Sequence, residues 1–144
     1  MIRRPPRSTL DRSSAASDVY KRQQLILQKV GKVDILVNNG GISQRALALE
    51  TTLDVDKRLM DVNYFGTVTL TKAVLPNMLT HQLGHIVTIT SLMGKFGSPY
   101  RSSYAGAKHA LHGFFDSLRA ELGQTPIKIT LICPGFVKTN ISIN

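Results

Sequence analysis

The stretch Gly84-His85-Ile86-Val87-Thr88-Ile89-Thr90-Ser91 opens on a turn residue, runs through β-branched side chains and ends on a hydroxyl. A short apolar run of this kind reads as a buried strand. Open α/β sheets gather their ligands at the carboxyl ends of strands, which places Ser91 where chemistry is done. Two further segments repeat the pattern. Val33-Asp34-Ile35-Leu36-Val37 runs into Asn38-Asn39-Gly40-Gly41, and Lys128 to Cys133 runs into Pro134-Gly135-Phe136-Val137-Lys138-Thr139. Helical segments separate the three. The pattern is α/β, a Rossmann-like doubly wound parallel sheet of which three core strands with flanking helices are present.

Beyond Ser91, the loop Leu92 to Arg101 holds Gly94, Gly97 and Pro99 and leads into Ser103-Tyr104-Ala105-Gly106-Ala107-Lys108. On a helix, residues four apart lie one turn from each other on one face. A free tyrosine has a pKa of about 10 and is a poor proton carrier near neutrality. A positive charge at roughly 4 to 5 Å, at an effective dielectric near 20, is worth about 3 to 4 kcal/mol, or about 2 to 3 pKa units. Lys108 is therefore expected to bring the Tyr104 phenol into the range of general acid-base catalysis.

Asn-Asn-Gly-Gly at 38–41, Asn63, Ser91, Tyr-x-x-x-Lys at 104–108 and Pro-Gly-Phe-Val-Lys-Thr at 134–139 resemble, in order and spacing, the short-chain dehydrogenase/reductase family. The resemblance covers about Leu25 to Asn144. Asp54-Val55-Asp56-Lys57-Arg58 and the run Ser103 to Leu122 look most like the family's member-7-like dehydrogenase/reductases. The resemblance implies an oxidoreductase that transfers a hydride between NAD or NADP and a carbonyl or alcohol. Tyr104 would be the acid and base, and Lys108 would lower its pKa and meet the nicotinamide ribose. Ser91 would hold the substrate oxygen, and Asn63 would hold a water that links Lys108 to solvent. Asn38 and Gly40 would line the adenosine side of the cofactor, while Val137 and Thr139 would meet the nicotinamide carboxamide. Gly40 stands where the family more often has alanine. The competing reading is a catalytically inactive binding or scaffold protein with the same fold.

The chain has 144 residues and a net charge of +9. Residues 1–23 supply +4 of that, from Arg3, Arg4, Arg7, Arg12, Lys21 and Arg22 against Asp11 and Asp18. This segment lacks apolar periodicity and resembles a translated sequencing-adapter peptide. It is expected to be non-native or disordered, ahead of a partial domain at 24–144. The remaining basic residues are scattered, so no nucleic-acid partner is expected. The family's Thr-Gly-x-x-x-Gly-x-Gly cofactor loop fits none of the eleven glycines, and the family's C-terminal substrate region is also expected to be lacking. Cys133, the one cysteine, is expected to be a small core residue in a reducing, cytoplasmic setting. Membrane association is left open. His109 and His112 stand three apart, but no carboxylates cluster near them in sequence, and no metal site is expected.

Thr51 and Asp54 resemble a capping box that opens a helix through Asn63, with a bend or break expected near Pro76. The stripe Ala107, Leu111, Phe114, Leu118 and Leu122 is expected to face the core, with Gly123 ending the helix. The resemblance implies a subunit interface built on these two long helices, to which Gly113 and Phe115 would suit, and hence homo-oligomerisation. Half of a cofactor site should not turn over. The purified 144-residue chain is expected to show no carbonyl-dependent NAD(P)H consumption, and steady consumption would refute that expectation.

Overall fold

The computed structural model describes Leu25 and residues 31–135. The chain divides into two units between residues 31 and 32, and the described strands lie in the second. The expected boundary at residue 23 falls outside the described residues, as do Val137 and Thr139. Three strands, β1 (Ile35–Asn38), β2 (Gly84–Ile89) and β3 (Ile127–Ile132), form a parallel sheet in the order β1-β2-β3. Leu36 lies beside Ile86, and Ile86 beside Ile129, so alternate side chains of all three strands share one face.

That face is covered by helices. α1 (Leu53–Met60) passes through a π-helical turn, Asp61–Phe65, into α2 (Gly66–Thr80), while α3 (Ser102–Glu121) connects β2 to β3. Val74 and Met78 of α2 and Leu111, Phe115 and Leu118 of α3 close on Leu36, Ile86 and Ile127 as one core. The opposite face shows Ile35 and Val37 at 62% and 56% exposure.

The helix details differ from the sequence expectations in four places. Thr52, not Thr51, is the N-cap of α1 and makes no side-chain cap bond, while the Thr51 hydroxyl donates to the Leu47 carbonyl. α2 continues through Pro76 to Thr80, since Val74 and Met78 on either side are anchored in the core and outweigh one lost backbone bond. Phe115 rather than Phe114 is buried, because it stands four residues from Leu111 on the inward face. Phe114 is half-buried and edge-on to Tyr64 and Phe115. Phe115 is therefore core and not available to a subunit interface, whereas Gly113 is exposed. Gly123 lies two residues beyond the end of α3, and its backbone is not left-handed.

Gly84 begins β2 rather than forming a turn before it. A Cβ there would lie 2.5 to 2.7 Å from the Sδ, Cγ and Cβ atoms of the fully buried Met78. Because the Met78 Cβ cannot swing aside, Gly84→Ala is expected to destabilise the fold by about 1 to 3 kcal/mol. Urea unfolding with an unchanged midpoint would contradict this packing.

Candidate functional site

The described candidate residues lie at the carboxyl ends of β1 and β2, in the π-helical turn and on the first turns of α3. β2 ends at Ile89, but its pairing with the β3 segment continues: the Thr90 amide donates to the Ile132 carbonyl at 2.8 Å, and the Leu92 amide to Pro134 at 3.1 Å. Ser91 is fixed between these two bonds in extended backbone and caps a short 3-10 turn, Leu92–Gly94. Its Oγ accepts the Met93 amide at 3.1 Å. The hydroxyl proton is thus left to donate elsewhere.

Tyr104 and Lys108 sit on successive turns of α3, and the Lys108 Nζ lies 5.7 Å from the Tyr104 ring centroid. Lys108 is only 4% exposed, and its ammonium donates to the Ile89 carbonyl at 3.2 Å. Burial lowers its pKa from the ordinary 10.5, since a charge removed from water loses hydration that one carbonyl does not replace. Phe96 and Tyr100 are half exposed in the loop ahead of α3. Tyr100 holds a left-handed backbone with φ of 65°, and its carbonyl accepts the Ala46 amide.

Asn63 lies in the π-helical turn and is fully buried, not on an exposed helix face. Its side-chain amide pairs both ways with the backbone of Ile42: Oδ1 accepts the Ile42 amide at 2.8 Å, and Nδ2 donates to the Ile42 carbonyl at 2.9 Å. Asn63 therefore clamps the turn after β1 to the helix. A Cβ on Gly41 would stand 3.1 Å from Asn63 Oδ1 and 3.6 Å from Lys108 Nζ. Gly41 is the point where Asn63, Lys108 and the turn meet, although the sequence motif drew attention to Gly40. At Gly40 a Cβ would meet nothing within 4 Å, so the alanine more usual in the resembling family would fit there.

Asn38 is buried at the end of β1 and donates through Nδ2 to the hydroxyls of Thr71 and Thr88, at 3.1 and 3.2 Å. Its Oδ1 has no partner among the described residues. Thr71 and Thr88 escaped the sequence reading; the signal was polar residues at positions that otherwise follow the core pattern. Arg101 and Ser103 at the start of α3 escaped it as well. Arg101 binds the Ser43 hydroxyl and the Gln44 carbonyl, and Ser103 binds Asp56, so the helix bearing Tyr104 is tied to the segment after Gly41 and to α1. Among the described residues no helix is long and apolar enough to cross a membrane.

Comparison with known proteins gives the same arrangement a lineage. A family model described as short chain dehydrogenase matches residues 9–144. The chain is 54% identical over 119 residues to dehydrogenase/reductase SDR family member 7B of Bos taurus, covering 83% of this chain and 37% of that protein. The chain thus spans well under half the length of that relative. A short-chain dehydrogenase from Streptomyces avermitilis superposes with a TM-score of 0.82 at 32% identity, over 87% of this chain and 46% of that one. ElxO, solved with NADP bound, superposes with a TM-score of 0.80 at 34% identity, over 85% and 50%.

The burial of Lys108 has a measurable cost. Between its lowered folded pKa and 10.5 the unfolded chain binds more protons than the folded one, so stability rises with pH across that window and is reduced below it. Lys108→Met keeps the length of the side chain and removes the buried charge. It is expected to raise stability at neutral pH by about 1 kcal/mol and to flatten the alkaline slope in urea unfolding. Loss of stability in the variant would mean that the ammonium is better compensated than its one carbonyl indicates.

Proposed function

Because the chain belongs to the short-chain dehydrogenase/reductase family, we propose that it works as an oxidoreductase between a nicotinamide dinucleotide and a carbonyl or alcohol, with Tyr104 carrying the proton. The observation that carries this reading is the buried Lys108 ammonium, set between the Ile89 carbonyl, the Tyr104 ring and Gly41. A buried charge with a single described acceptor is costly, and sites of reaction are where such costs are retained.

The residues fit the cofactor. Asn38 keeps a buried oxygen without a partner, Gly40 faces open space, and Lys108 has further N–H groups to offer a ribose hydroxyl. Val137 and Thr139 complete the set by resemblance. When bound, the reduced dinucleotide would supply the hydride for carbonyl reduction and the oxidised one would accept it in alcohol oxidation. The chain's own residues do the rest. In reduction the Tyr104 hydroxyl gives its proton to the carbonyl oxygen, and Ser91, whose oxygen is already engaged by the Met93 amide, donates a hydrogen bond to that same oxygen. In oxidation the Tyr104 oxygen takes the hydroxyl proton back. The Asn63 side chain is fully used by Ile42, so its part in proton supply falls to its backbone carbonyl. That carbonyl accepts the Thr67 hydroxyl at 3.2 Å.

Homo-oligomerisation through the outer faces of α2 and α3 belongs to the same proposal, with Phe115 withdrawn from it. The deciding experiment is turnover of the full-length protein with NADH or NADPH and a panel of ketones and aldehydes. Tyr104→Phe is expected to lower kcat by about 100- to 10,000-fold while dinucleotide binding persists. Dinucleotide binding without turnover in the unaltered protein would favour the scaffold reading, and undiminished turnover by Tyr104→Phe would remove the tyrosine from the chemistry.

A further inference from the structure

The face of α3 that carries Tyr104 and Lys108 continues one turn further, to His112. Two of these follow the end of β2: Lys108 donates to the Ile89 carbonyl and His112 Nε2 lies 3.2 Å from Thr90 Oγ1, with Ser91 next in the chain. Thr90 and His112 are both buried, at 4% and 7% exposure.

The protons of this contact can be assigned. Thr90 Oγ1 lies 3.1 Å from the Ile132 carbonyl and 3.2 Å from Cys133 Sγ. Its single proton goes to one of these acceptors, and its lone pair then accepts Nε2–H from His112. The reverse assignment would put a proton on the buried Nδ1, which has no partner among the described residues, and an orphaned donor is the rarer arrangement in folded proteins. Burial, first of all, lowers the His112 pKa. Lys95, His109 and Arg119 add to the effect, and Asp116 opposes it. The ring is thus neutral at neutral pH.

The same Nε2–Cδ2 edge of the ring also supports the turn that Ser91 caps. A Cβ on Gly94 would stand 2.7 Å from His112 Cδ2 and 2.8 Å from Nε2, so the Leu92–Gly94 turn rests directly on the imidazole. Cys133 Sγ closes the cluster at 3.7 Å from Nε2. One side chain therefore holds the residue before Ser91 by a hydrogen bond and the turn after it by contact.

We propose that His112 is a positioning residue for Ser91: its Nε2–H bond to Thr90 and its contact with Gly94 set where the Ser91 hydroxyl stands relative to Tyr104. The catalytic consequence rests on the oxidoreductase reading above, whereas the structural one does not.

The test uses the full-length protein and two readouts. In His112→Leu, which loses the donor, amide hydrogen exchange at Met93, Gly94 and Lys95 is expected to quicken about tenfold, with β1 amides unchanged as the reference. kcat should fall about tenfold while KM for the dinucleotide stays the same. His112→Gln, which keeps an N–H at similar reach, should restore both. Thr90→Val removes the same bond from the other side and should reproduce the losses if His112→Leu does not fold. Unchanged exchange in His112→Leu and Thr90→Val overturns the proposal whatever the turnover. Faster exchange with undiminished kcat overturns it as well. Faster exchange in a protein whose unaltered form shows no turnover supports the positioning of Ser91 and overturns the oxidoreductase reading alone.

Discussion

The Lys108 ammonium, withdrawn from water and held by the Ile89 carbonyl, is the constraint around which the site is arranged. An uncompensated charge in an apolar setting is expensive, so the structure near it has to supply polar groups or close approach. The carbonyl comes from the last residue of β2, where the sheet ladder gives way to loop. Gly41 lets the backbone after β1 come within reach of the ammonium, and Asn63 holds that backbone by binding both polar groups of Ile42. Three elements distant in sequence thus meet at one charge.

The same constraint explains why α3 lies where it does. Its apolar face, Leu111, Phe115 and Leu118, packs on the sheet and would tolerate some sliding along it. Polar contacts fix the register instead: Lys108 to Ile89, His112 to Thr90, Arg101 to Ser43 and Gln44, and Ser103 to Asp56. Burial holds the layers together, and directional bonds tie the helix that carries Tyr104 to the segments around it. The division is general in proteins, because apolar contact is non-directional and hydrogen bonds are not.

Much of this was legible in the sequence. β-branched runs ending in turn residues gave all three strands to within two residues at either end, and their parallel order followed from the helical segments between them. Tyr104, Lys108 and Ser91 stood out as candidates by residue type and spacing. What could not be read was the exact rotation of each helix. A stripe at intervals of three and four admits Phe114 or Phe115 as the inward residue, and only packing against Tyr64 and the sheet decides between them. The persistence of α2 through Pro76 was equally hidden, since propensity is local and the anchoring of Val74 and Met78 is not. Side-chain bonds such as those of Asn63 with Ile42, or of Asn38 with Thr71 and Thr88, join residues 21 to 50 positions apart and leave no mark in local pattern.

The central claim is that the buried ammonium of Lys108 is the organising charge of a nicotinamide site. The most direct measurement is the titration of the Lys108 side-chain nitrogen by selectively labelled NMR, with and without NAD or NADP. A pKa below 10.5 that moves when the dinucleotide is added is the result expected from this geometry. A lysine that titrates at its ordinary value and ignores the dinucleotide would contradict it.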